Sequence, residues 1–114
     1  MTTNYDHYTF YVSWSPEDSE FVGTCVEFPS LSHLDTSPDE AFQGIRDLVR
    51  AVMHDLVRQG EPVPNAISDR QYSGAFKVRV PPALHRRLVI EAAEEGVSLN
   101  RLVSAKLAGL SGAR

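Results

Sequence analysis

The 114-residue sequence predicts an α+β chain of two modules, β-β-β-α followed by β-α-α. Three observations carry that prediction. Aromatic and β-branched runs crowd the first third of the chain, where strands are favoured. A long apolar stripe at helical spacing follows, behind a Ser-Pro-x-Glu start. The charge then changes sign. Residues 1–74 carry four basic and twelve acidic side chains, 4 − 12 = −8, and residues 75–114 carry seven and three, 7 − 3 = +4; their sum is the net −4. An acidic half suits a basic protein partner and a basic half suits phosphate.

Tyr8 to Trp14 reads as the first strand, and Phe21 to Val26 as its hairpin partner across the turn Ser15-Pro16-Glu17-Asp18-Ser19. Phe28-Pro29 stops the second strand, and Leu31 to Leu34 is a short third one. Ser37 caps a helix, Pro38 takes its first position and Glu40 completes a capping box. Ala41, Ile45, Leu48, Val49, Val52 and Leu56 then fall on one helical face, and Gly60 ends it. One helix across a small antiparallel sheet buries both apolar faces. The domain limits expected are 1–60 for this module, 61–73 for a Pro- and Ser-containing linker in which Ile67 and Tyr72 pack locally, and 74–114 for the second module.

Phe76, Val78 and Val80 alternate with Ala75, Lys77 and Arg79, the signature of a strand with one apolar and one polar face. Pro81-Pro82 opens a helix with Leu84, Leu88 and Ala92 on one side; Gly96 stops it, and Ser98 caps a last helix striped by Leu99, Leu102, Val103, Leu107 and Leu110. The tail from Ser111 to Arg114 is expected to fray. One strand and two short helices cannot close a core alone. A second copy solves this: two strands pair about a two-fold axis, and four helices cover their apolar side. Phe76, Val78, Val80, Leu84, Leu88, Leu102 and Val103 form the expected dimer core. The opposite face of the ribbon offers Lys77 and Arg79 to the major groove, where Arg and Lys read guanine O6 and N7. Ser98 and the helix start behind it suit a flanking phosphate.

The run Phe76-Lys77-Val78-Arg79-Val80-Pro81-Pro82-Ala83-Leu84-His85, followed by Gly96-Val97-Ser98-Leu99-Asn100, resembles a ribbon-helix-helix DNA-binding domain of the Arc/MetJ type over about residues 74–110. The resemblance implies a homodimer that sets Ala75, Lys77 and Arg79 against bases and clamps the DNA backbone with the turn containing Ser98, Leu99 and Asn100. Ala75 stands where a longer polar residue is common. Residues 15–56 are similar to HicB antitoxins. The carrying segments are Ser15-Pro16-Glu17-Asp18, Phe21-Val22-Gly23-Thr24-Cys25-Val26-Glu27-Phe28-Pro29-Ser30-Leu31 and Ser37-Pro38-Asp39-Glu40-Ala41, with Ser30 in place of the usual Gly. That likeness implies a partial, degraded RNase H-like fold which blocks a small basic RNase toxin of the HicA type. Glu17, Asp18, Glu20 and Asp35 are the surface carboxylates offered to such a partner.

An enzyme is not expected. Metal-dependent RNase H chemistry needs clustered carboxylates, one of them in the first strand, and Tyr8 to Trp14 has none. His7, His33, His54 and His85 lack ligand spacing, and one cysteine, Cys25, leaves no disulfide and no multi-cysteine zinc site. No cofactor or metal is expected. Trp14 is expected in the core or between modules. A polar start and no apolar run of about 18 residues predict a cytoplasmic chain without a membrane segment. The function expected is the antitoxin of a type II toxin–antitoxin system, which neutralises its toxin by direct binding and autorepresses its operon as a homodimer or larger assembly on operator DNA. The alternatives are an orphan ribbon-helix-helix transcription regulator without a toxin, and a residual metal-dependent nuclease.

Overall fold

The computed structural model describes residues 4–111, with side chains to Gly109. Leu110 of the expected last stripe and the tail to Arg114 therefore fall outside the described side chains. The chain divides between Ser73 and Gly74 into two units.

The first unit is a three-stranded antiparallel sheet, order β1-β2-β3, with one helix on it: β1 is Phe10–Ser15, β2 Glu20–Cys25, β3 Ser32–Asp35 and α1 Pro38–Arg58. Two 3₁₀ turns, Tyr5–His7 and Ile67–Asp69, flank these elements. The Ser37 hydroxyl accepts from the Glu40 N–H (3.1 Å), so α1 starts where its cap residue predicts. Ala41, Ile45, Val49 and Met53, four residues apart, are its buried line. Met53 joins this line beyond the expected stripe, and Leu48, Val52 and Leu56 flank it as partly covered neighbours. The β1–β2 turn is tight enough to hold Ser19 at φ 52°.

Close approach of α1 to the sheet depends on Gly23. A Cβ there would stand 2.5 Å from the Ala41 carbonyl oxygen and 2.8 Å from Ile45 Cγ2. The first obstacle is backbone, which cannot swing away. Gly23→Ala is expected to cost about 1–3 kcal/mol through overpacking, read as a lower midpoint in urea unfolding.

Strand one begins at Phe10, two residues later than the sequence suggests. Tyr8 instead leaves the sheet for the core, edge-on to Phe28 at 5.4 Å, and its hydroxyl donates to the Pro64 carbonyl (2.6 Å). The supposed linker 61–73 thus packs into the first unit. Ala66 is fully buried, the Ile67 N–H donates to Glu27 Oε2 (2.9 Å), and the Ser68 hydroxyl donates to the His7 carbonyl (2.9 Å). His7 Nδ1 lies 2.8 Å from Asp69 Oδ2, and Tyr72 donates to the Ile67 carbonyl (3.0 Å). Proline fixes local geometry here while long-range hydrogen bonds fix the path.

Glu27 is the centre of that anchoring. Its carboxylate also accepts the Thr9 N–H (2.9 Å) and the Thr9 hydroxyl (3.2 Å). Burial pushes its carboxyl up, but the N–H donors of Ile67 and Thr9 outweigh burial and hold it below the ordinary value. A depressed folded value stabilises the fold above the unfolded carboxylate value of about 4.3 and loses that stabilisation as pH falls through the folded one. Glu27→Gln is therefore expected to lower stability at neutral pH and to flatten the acid limb of a stability–pH curve.

The second unit contains α2, Pro82–Glu95, and α3, Leu99–Ser111. Gly96 ends α2 at φ 69°, with its N–H and that of Val97 returned to the last carbonyls, and the Ser98 hydroxyl accepts from the Arg101 N–H (3.0 Å) to start α3. Lys106 Nζ and Glu91 Oε2, 3.1 Å apart, link the two helices. Only Ala92 and Leu102 are buried among the described residues of this unit. The strand expected at residues 75–80 is not formed: those residues carry no ladder. A strand exists by pairing, and among the described residues no second strand pairs with this segment.

Candidate nucleic-acid and partner surfaces

In the second unit Phe76, Val78 and Val80 are 77%, 62% and 39% exposed, unusual for three large apolar side chains at alternate positions. Together with Leu84, Leu88 and Val103 they line one open groove, which Ala75, Lys77, Arg79, Leu99 and Asn100 also border. The structure thus brings together most of the residues assigned to base contact and to a dimer core. Two stand apart. Leu102 is already buried within the single unit, and Ser98 is engaged as the cap of α3. Lys77 and Arg79 are exposed, as are Arg86, Arg87 and Arg101.

In the first unit the pairing of Phe21 with Asp35 and of Ser15 with Glu20 gathers Glu20 and Asp35 at the β1–β2 turn end of the sheet, with Glu17 and Asp18 in the turn itself. Asp18 accepts from the Ser15 hydroxyl (2.8 Å). Asp35 lies 3.1 Å from His33 Nε2 and accepts the Thr36 N–H (2.8 Å); the imidazole first, and that N–H next, hold its carboxyl below the usual range. Trp14 is at this end too, packed edge-to-face on Phe21 at 5.0 Å yet 53% exposed. A core position is therefore not what the fold gives it. The sequence signal for its actual place is the uncharged strand that leads into Ser-Pro-Glu-Asp.

Cys25 is buried, and burial pushes its thiol up, the opposite of an activated nucleophile. Among the described residues, no three His, Cys, Asp or Glu side chains gather as a metal nest, and no helix is long and apolar enough to cross a membrane.

Residues 60–107 match the model of the HicB family. The match runs from the end of α1 through most of α3, less than half of the chain, and so falls on the stretch bearing the exposed apolar triplet rather than on residues 15–56. No curated protein and no solved structure matches the chain.

Proposed function

We propose that the chain is a HicB-type antitoxin of a type II toxin–antitoxin pair, a binding protein without turnover. The observation that carries this reading is the HicB-family match over residues 60–107. In it, two copies pair through residues 75–80 as a ribbon-helix-helix dimer, and Lys77 and Arg79 of each copy enter the major groove of operator DNA. The exposed Phe76, Val78 and Val80 favour such pairing, because burying them removes apolar area from water that the single chain leaves wet. Ala75 adds a contact of limited reach. The helix start at Ser98, Leu99 and Asn100 holds a flanking phosphate with backbone N–H groups.

The first unit, at −8 over residues 1–74, binds and blocks a small basic RNase of the HicA type. Adding the full chain to such an RNase in an RNA-cleavage assay is expected to abolish cleavage at about one chain per toxin. Cleavage that persists at excess chain contradicts the antitoxin role and leaves the orphan regulator.

A further inference from the structure

β1 is an edge strand of the sheet. The Val26 N–H donates to the Thr9 carbonyl (2.9 Å), so antiparallel alternation turns the backbone groups of Tyr11, Ser13 and Ser15 toward β2. Those of Phe10, Val12 and Trp14 then point outward. Among the described residues no strand pairs with that side. Proteins commonly blunt a free edge with charge, proline or a bulge. The segment Phe10-Tyr11-Val12-Ser13-Trp14-Ser15 has no charge and no proline, and it pairs with β2 through consecutive partners without a bulge. Tyr11 and Trp14 are more than half exposed along it.

The charge around this edge selects its occupant. Glu17, Asp18 and Glu20 sit just past Trp14 in the hairpin, whereas the Arg46 guanidinium, 5.4 Å from the Phe10 ring and paired with Asp6, lies at the other end of the strand. A cationic strand meets the opposite sign, and an indole face attracts Arg or Lys.

We propose that the β1 edge is a strand-addition site for an extended segment of a protein partner bearing Arg or Lys, anchored on Trp14 and flanked by Glu17, Asp18 and Glu20. This rests on the basic-partner reading above and assigns it a surface: main-chain hydrogen bonds supply affinity and alternate cations supply specificity.

Trp14 is the only tryptophan, so its emission reports on the site. The full chain is titrated with a capped hexapeptide of alternating Arg and Val, with its fully N-methylated analogue, and with a Glu-Val counterpart. The Arg-Val peptide is expected to give a saturable change in emission, and the other two to bind at least tenfold more weakly. No saturable change up to millimolar peptide overturns the site, and so does equal binding by the N-methylated analogue, which keeps the charge but lacks backbone donors. Val12→Pro removes an outward N–H and no bond to β2, and is expected to weaken the Arg-Val peptide at least tenfold; if that variant does not fold, the N-methylated analogue decides. The RNase assay separates the two claims. Full inhibition retained in Trp14→Ala and Val12→Pro overturns the edge site and leaves the antitoxin reading standing. Peptide binding without RNase inhibition does the reverse.

Discussion

Val78→Asp is expected to leave the chain monomeric. In the single chain Val78 is 62% exposed, so a carboxylate there costs little, and the first unit should unfold as before. In the proposed paired ribbon the same position would lie inside the shared core, and each copy would bury an unpaired charge. An uncompensated buried charge costs about 3–5 kcal/mol. Even one such term weakens dimerisation by a factor on the order of 1000. Sedimentation at micromolar concentration reads the outcome directly. An unchanged dimer in Val78→Asp would mean that the copies meet through another surface.

The second large effect is on DNA. Lys77→Ala combined with Arg79→Ala is expected to remove specific operator binding while the dimer survives, since both side chains are exposed and support no core. A good base contact discriminates by about 1–3 kcal/mol, and the pair occurs twice per dimer, so affinity should fall by at least a factor on the order of 1000. The dependence of any remaining binding on salt should also become shallower, because fewer phosphates are neutralised. Fluorescence anisotropy on the DNA upstream of the chain's own reading frame checks both. Unchanged affinity in the double variant would exclude the ribbon as the reading head.

Local chemistry made α1 legible. Ser37, Pro38 and the spacing from Ala41 to Leu56 each point to the same helix, and the cap forms. Gly96 and Ser98 did the same for the break between α2 and α3. The path of residues 61–73 was not legible, because its anchors are distant in sequence: Glu27 holds Ile67, Tyr8 holds Pro64 and His7 meets Asp69. Local composition sees the prolines and misses those partners. Gly23 was read as part of a strand, and only the approach of Ala41 explains why it must lack a side chain. Residues 75–80 are the converse case. Their alternation is plain in the sequence, but the ladder is absent from a single chain because pairing is a property of two strands. The candidate surfaces divide in the same way. Lys77 and Arg79 were visible from alternation, whereas Trp14 required the register of β1 and β2 to show where it emerges.

Isotope-filtered nuclear Overhauser spectroscopy on a mixture of ¹³C-labelled and unlabelled chains tests the shared ribbon most directly. Contacts between copies should appear from Phe76, Val78 and Val80 to the same residues of the other chain, in antiparallel order. Copies that show no such contacts, or meet only through the first unit, would contradict the ribbon and with it the proposed reading of DNA.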